Sequence, residues 1–562
     1  MKSPSAFSLP ALLLAWPAAA CLSFFFVGFI ESLYEHALQI FSAGFIFALL
    51  VGGLSYFLVR DAISESRQGL RIPWVQLLIG AACLGFALAV IRLCLQIPAH
   101  LDPALIGLES SHLPLFVASQ VLALAGAYIV LRSLHKRGGA DRFQDSPFIT
   151  FMRDNLPGLL VSGFFLVAYF TLAVALGILP DDNFYDTDPI SWLNRFTAPA
   201  TALIEMRPVH PLAFLIFRPL VWLISLPLAG NKPYAALLLN AGAGALCVFL
   251  AWVFVKGWSQ NRPFALLVAA LLGLSTSHLI LSASLETYIF SAAVLILFLI
   301  LSQDEPRALG ALIPVGLLSF GITLTNFIQT CILFLAVEFK PVKLLKYGAA
   351  VLGLALLLAW VQMQIYPTSQ PFYIPSNLLA ENRYSYDIGY ESVEHTFERA
   401  HALGRTITLF SIVAPRPLVL LQEVGCEFPC FKTYKPRYKA DLMNSYVGFG
   451  SFLARTWFLL LVSAGGLFAV KLFKSPRSVL LQAGLLACIL FNFVLHMNYG
   501  DDPMLYSGDW TYAVVFFAAL SFRDLAGRKW FQAALLIFIV MLMLNNWRFL
   551  QSVLSALSPY LS

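Results

Sequence analysis

Long apolar runs, each close to the length of a bilayer crossing and separated by polar loops, leave this chain few folds to adopt. In hydrocarbon every backbone N–H and C=O must be satisfied internally, so runs of roughly 20 apolar residues become helices. Leu9 to Ile30, Ala37 to Val59, Ile72 to Ile97, Leu113 to Leu134 and Leu156 to Leu179 meet that rule first. After an interruption come Ala235 to Val255, Phe264 to Leu281, Thr287 to Leu301, Ala308 to Val337, Tyr347 to Ile365, Ser451 to Phe473, Val479 to Leu495, Thr511 to Phe522 and Phe531 to Phe549. With 59% hydrophobic and 12% charged residues, an ordinary soluble core is excluded. The expected fold is an all-α polytopic membrane protein of about 15 transmembrane helices. The first run follows a single Lys2 and lacks a clear small-residue cleavage site, so it reads as a retained span.

Orientation follows from Lys and Arg in the short loops: Arg60, Arg67 and Arg71; Arg132, Lys136, Arg137, Arg142 and Arg153; Lys256 and Arg262; Arg307; Lys340, Lys343 and Lys346; Lys471, Lys474 and Arg477; Arg523, Arg528 and Lys529. Such loops stay in the cytoplasm, so the net charge of +6 reads as topology and not as a nucleic-acid footprint. Satisfying all of them places the N-terminus inside and the C-terminus outside. It also requires Ala308 to Val337 to be two short helices with a bend near Gly321 to Asn326, because one helix of that length, about 45 Å, is too long for a single span. By the same accounting Pro211 to Ala229 is a helix pair lying in the outer interface. Its prolines, Pro211, Pro219 and Pro227, break a straight helix.

Between Pro180 and Pro211 the chain turns polar, with Asp181, Asp182, Asp186 and Asp188 inside eight positions. Carboxylates are costly inside a bilayer and are normally placed where water, a cation or a substrate can meet them, and these, directly after an apolar run, belong at a membrane face. The charge rule puts this loop outside. Two further outer segments follow, Tyr366 to Gly450 and His496 to Trp510, the second carrying His496, Asp501, Asp502 and Asp509. Cys426 and Cys430 fall in the longer one, where a disulfide is permitted. The other six of the eight cysteines sit in apolar runs as packing residues. There is no P-loop, H-E-x-x-H, convincing dinucleotide fingerprint or G-x-S-x-G, and no N-x-S/T sequon, the last agreeing with a bacterial source. The two halves show no obvious duplication, which disfavours an inverted-repeat transporter.

A span, an outer loop opening with Asp181 and Asp182, then R-x-x-H-P (Arg207, His210, Pro211), interfacial helices and closely spaced spans resembles the GT-C superfamily of polyprenyl-phosphate-sugar-dependent glycosyltransferases. The segment Ser282 to Phe290, SASLETYIF, with Glu286 at the outer end of a helix, is similar to the corresponding region of many members. The resemblance covers roughly Arg153 to Phe549. Four acids in the loop exceed the family pattern, which stresses one or two. The resemblance implies a catalytic core over 153–366 with the acidic outer loop 180–211, an extracytoplasmic subdomain over 367–450 and C-terminal transmembrane helices over 451–562, and leaves 1–152 as an added N-terminal four-helix transmembrane module. It further implies a polyprenyl-phosphate sugar donor, a glycan, lipid or protein acceptor outside, and a bacterial inner (cytoplasmic) membrane location.

The chemistry can be stated without the family. Moving a sugar from a lipid phosphate to a hydroxyl needs a base for the acceptor proton and positive charge for the departing phosphate. Asp181 or Asp182, immediately beyond a span, suits the base. Asp186, Asp188, Glu286, His496, Asp501 and Asp502 are candidate substrate-binding groups. Arg207 and His210 are nearest for the phosphate, with Arg195 and Arg218 behind them. No cofactor is fixed by the residues; a divalent cation, Mg or Mn, is compatible with the acids. The competing readings are a transporter or flippase of a lipid-linked or amphipathic solute, in which the acids bind a cation or proton, and a non-catalytic envelope scaffold. The bland alternatives are a solvated loop with Asp188 as an N-cap, and Arg207 and His210 as lipid-headgroup anchors.

Overall fold

The computed structural model describes residues 7–34, 36–67, 74–96, 108–144, 146–177, 179–199, 201–303, 308–385, 393–421, 428–435, 442–475 and 479–560. Arg71, Arg307, Arg477 and Cys426 lie outside the described residues. The protein is an all-α polytopic membrane protein. Ten helices among the described residues are long and apolar enough to cross a bilayer: Leu9–Glu31, Ala37–Arg60, Trp74–Leu95, Leu113–Lys136, Pro147–Leu176, Lys232–Ser259, Pro341–Ile365, Gly448–Lys474, Leu480–Asn498 and Lys529–Tyr560.

The remaining apolar runs form shorter helices, Arg262–Leu274, Tyr288–Leu301, Leu309–Ile322, Asn326–Val337 and Gly508–Ser521. Helices of this size reach only about 20 Å, less than the roughly 30 Å of hydrocarbon. Their ends have visible local causes. Ser275 stops Arg262–Leu274 and accepts from the His278 amide at 3.3 Å, capping the next turn, Thr276–Leu281. The run 308–337 breaks at Thr323, whose extended backbone separates Leu309–Ile322 from Asn326–Val337, inside the window in which the sequence requires a bend. Pro211 to Ala229 is a 13-residue helix, Ala213–Ser225, followed by the 3-10 turn Leu226–Leu228.

Contacts divide the chain into two compact units. The first comprises Met1–Trp74, Leu101–Leu159 and Leu226–Asn231. Its core includes Leu12, Trp16, Tyr56, Phe57 and Leu131. The second comprises Val75–His100, Leu160–Ser225 and Lys232–Ser562, and every group of the candidate site belongs to it.

In the second unit the stretch between Pro341–Ile365 and Gly448–Lys474 carries the short helices Pro375–Ala380 and Val393–Arg405 and two small ribbons. Leu418–Leu420 pairs antiparallel with Cys430–Lys432, Val419 opposite Phe431, and Tyr434–Lys435 pairs with Leu442–Met443. The acidic loop is stitched to the first ribbon, because Phe431 N donates to Asn183 O at 2.7 Å and Tyr185 N donates to Phe431 O at 2.8 Å. Cys430, on that ribbon, is disulfide-bonded.

Candidate functional site

The broken run at Thr323 makes a socket for the segment after the acidic loop. A helix interruption frees backbone groups that must find partners. Leu212 N donates to Gly321 O and Leu324 N to Val209 O, both at 3.0 Å. Gly321 is required here, since a Cβ would press into the Leu212 side chain. This docking sets Arg207 and His210 at the edge of a cavity of about 120 Å³. Asp188, Arg195, Glu286, Thr323, Tyr384, His496, Tyr499, Tyr506 and Asp509 share its wall.

Glu286 is placed by a second irregular stretch. Asn240 Nδ2 donates to Leu281 O at 3.0 Å and to Ser284 O at 2.9 Å, holding 282–287 non-helical against Lys232–Ser259. Gly508 admits the close passage of Tyr288, whose carbonyl oxygen would lie 2.6 Å from an added Cβ. The Glu286 carboxylate, 2% exposed, accepts from Asp188 N at 2.7 Å and Thr287 N at 3.2 Å.

The four aspartates of the loop take four different roles. Asp181 accepts from Ile190 N at 2.9 Å, Ser191 N at 3.2 Å and Ser191 Oγ at 2.6 Å, so its carboxylate caps helix Pro189–Thr197. Asp182 sits at φ 65° in a turn closed by its own N–H to Thr187 O. Asp186 pairs with Lys432 at 2.9 Å. Asp188 occupies the N-cap position of Pro189–Thr197 but makes no side-chain cap bond, and it lines the cavity. With Asp181 capping from seven residues upstream, the Asp188 carboxylate is left for the cavity. Of the four, Asp188 lines the cavity, whereas Asp181 and Asp182, the residues the sequence singled out for a base, do not; Asp188 holds the N-cap position without making the side-chain bond of a simple N-cap.

Burial, together with the charges of Asp182 and Asp181, pushes Asp188 up to about 7. Burial and the neighbouring Asp188 hold Glu286 well above the usual carboxylate range. Asp182 is also raised, by burial and then by Asp186.

The basic groups divide as well. Burial opposes the Arg207 charge, but hydrogen bonds to Glu381 outweigh it and leave the guanidinium firmly protonated. Its Nε lies 3.2 Å from Glu381 Oε1, its Nη2 binds Glu381 Oε2 and donates to Tyr499 Oη at 3.0 Å, and Tyr384 stacks beneath it at 4.0 Å. Arg195 lies over the Trp192 ring at 4.7 Å and faces the Asp188 and Glu286 charges across the cavity. His210 departs from its expected cationic role. Burial and Arg207 push it down to about 3, and Nδ1 bonds Ile322 O at 2.6 Å, so the imidazole is neutral.

The His496 to Trp510 cluster is also split. His496 lines the cavity, stacks on Tyr506 at 4.1 Å and leaves Nε2 buried with no hydrogen-bond partner among the described residues. Asp509, beside it, accepts from Asn326 Nδ2 at 2.7 Å. Asp502 instead accepts from Thr433 N at 2.6 Å and Met504 N at 2.9 Å, a structural knot. Asp501 does not line the cavity, and burial, then Asp186, raises it. Arg399 fastens the end of Leu480–Asn498 by donating to His496 O at 2.7 Å and Met497 O at 3.1 Å.

Sequence reasoning missed Glu381, Tyr384, Tyr499, Arg399 and Thr323. Only Thr323 carried a signal, as part of the required bend; the others lie in segments whose fold is set by distant partners. Among the described residues the one trio of His and acidic side chains spaced to share a metal ion is Glu31, Glu109 and His112, all in the first unit. No family model, curated protein or solved structure matches this chain.

Proposed function

We propose that this chain is an integral-membrane glycosyltransferase, similar in plan to the GT-C superfamily, that moves a sugar from a polyprenyl-phosphate donor to an extracytoplasmic hydroxyl. The observation that carries this reading is the pair of half-buried Asp188 and buried Glu286, which line one cavity with Arg195 and Arg207 on its wall. A carboxyl near 7 in a partly closed site is suited to take a proton at neutral pH.

In the proposed step the acceptor oxygen attacks the anomeric carbon and its proton passes to Asp188. The bond from the anomeric carbon to the phosphate oxygen breaks, and polyprenyl phosphate departs with the electron pair. Arg195 faces the developing phosphate charge. Arg207, already held by Glu381, keeps Tyr499 and Tyr384 in place while adding to the positive field. Glu286 orients Asp188 through the Asp188 amide, and burial with the charges of Asp182 and Asp181 raises its proton affinity. The aromatic rings of Trp192, Tyr288 and Tyr506 offer flat apolar faces to a sugar ring. The reading includes crossing by the short helices, about 15 spans in all, and a site open to the outer face of a bacterial inner membrane.

The direct test is incubation of the purified chain with a radiolabelled polyprenyl-phosphate sugar and an extracytoplasmic acceptor extract. Release of polyprenyl phosphate, lost in Asp188→Asn, is the expected result. Donor left intact, with labelled lipid moved across proteoliposomes instead, would overturn the enzyme in favour of a transporter.

A further inference from the structure

A second cavity, sharing no lining residue with the first, holds two cations and no carboxylate. It has a volume of about 240 Å³ and is lined by Thr197, Pro199, Arg218, Trp222, Lys232 and Tyr366 among others. Arg218 is 8% exposed, and its guanidinium is sandwiched at 4.0 Å from Phe214 and 4.5 Å from Tyr366. Nε donates to Arg195 O at 2.9 Å and Nη1 to Pro199 O at 3.4 Å. Lys232 Nζ donates to Thr197 O at 3.3 Å. These carbonyls, at and just beyond the end of helix Pro189–Thr197, account for two guanidinium nitrogens and one ammonium hydrogen. They do not account for Arg218 Nη2, which is buried against the Tyr366 side chain and, among the described residues, lacks a hydrogen-bond partner of good geometry. A buried, charged donor left unmatched is costly unless something fills its place.

The helix that carries Arg218 says where such a partner comes from. Ala213–Ser225 buries Phe214, Phe217, Arg218 and Val221 on one face. The other face exposes Leu220, Trp222 and Leu223. A short amphipathic helix with an exposed Leu and Trp edge lies at the boundary between headgroups and acyl chains, and a tryptophan there marks the headgroup level. Trp222 is both on that edge and in the wall of the cationic cavity.

We infer that the Arg218–Lys232 cavity is a binding site for the phosphate group of an anionic membrane phospholipid, with the acyl chains lying along Leu220 and Leu223. A planar guanidinium and a nearby ammonium match phosphate oxygens, and a zwitterionic headgroup would bring its own cation into a cavity that already holds two. This site does not depend on the sugar-transfer reading, because none of its residues takes part in the proposed step.

The test uses the full chain, purified in detergent, and counts retained lipid by native mass spectrometry after addition of phosphatidylglycerol or phosphatidylcholine. The expected result is at least about fivefold more phosphatidylglycerol than phosphatidylcholine retained, with most of that preference lost in Lys232→Gln, since one charged hydrogen bond is worth about tenfold. Arg218→Lys, which keeps the charge and loses the fork, should weaken retention as well, with its melting temperature confirming that the variant is folded. Equal retention of the two lipids, or wild-type retention by both folded variants, would overturn the site. Displacement of the lipid by millimolar inorganic phosphate would overturn the lipid as its ligand, assigning the cavity to free phosphate.

Discussion

The amide of Asp188 donates to Glu286 Oε1 at 2.7 Å, joining the acidic loop to the irregular stretch before Tyr288–Leu301 across 98 positions of sequence. That bond ties the two segments together; burial raises both carboxyls, with the charges of Asp182 and Asp181 adding to it at Asp188 and that of Asp188 adding to it at Glu286. Asp181, seven residues earlier than Asp188, makes the arrangement possible by taking over the helix cap.

Asp188→Asn should lower transfer by roughly 100-fold or more while donor binding survives, because the amide keeps size and loses basicity. Asp181→Ala should behave differently, costing about 1 kcal/mol of stability through the lost cap and far less turnover. Parallel assays of donor binding, transfer and thermal unfolding separate the two; full transfer by Asp188→Asn would remove it as the base.

Turnover should rise with pH through about 7 and level off above it, since Asp188 must be deprotonated to accept the acceptor proton. Stability should run the other way. Folding raises the Asp188 pKa from 3.8 to about 7, so its stabilising contribution is complete below about 3.8 and disappears as pH rises through 7. Asp188→Asn should lose both dependences; a pH–rate profile with the same rising limb in the variant would assign that limb elsewhere.

Arg207 and Glu381 form a part-buried pair, with side chains 18% and 8% exposed. Removing one partner strands the other, so Glu381→Gln should cost about 3 kcal/mol, and Arg207→Lys should also destabilise because the fork is lost. A double-mutant cycle read by denaturant unfolding should show strong coupling. Additive effects would mean that the pair contributes little.

Cys430 is bridged, whereas Cys21, Cys83, Cys94, Cys247, Cys331 and Cys488 are free. Mass spectrometry of non-reduced, alkylated protein should find those six labelled and Cys430 unlabelled. A free Cys430 thiol would show that the ribbon Cys430–Lys432 holds without a disulfide.

Leu203, 86% exposed within the acidic loop, should be labelled as a cysteine by an impermeant reagent added outside cells. Gln260, exposed before Arg262–Leu274, should be labelled as a cysteine only after permeabilisation. The reverse pattern would invert the topology and place the cavity at the cytoplasmic face.

The sequence by itself determined the class of protein and where chemistry could lie. Apolar run length is a local, additive property, so Leu9–Glu31 or Lys232–Ser259 could be read residue by residue, and so could the break near Thr323, because a 30-residue run overshoots a bilayer. The acidic loop and Glu286 were legible for the same reason, as charges interrupting hydrocarbon. Only the tertiary structure decided which carboxylate faces the cavity. Asp181, Asp182, Asp186 and Asp188 are alike in composition and neighbours in sequence, and they differ in which groups reach them: Ile190 and Ser191 donate to Asp181, which caps their helix, Lys432 neutralises Asp186, and Glu286 receives the Asp188 amide. Glu381 and Arg399 were invisible until folding brought Arg207 to one and the end of Leu480–Asn498 to the other. Burial and hydrogen-bond partnership set the proton affinity of a carboxylate, and neither exists until the chain has closed around it.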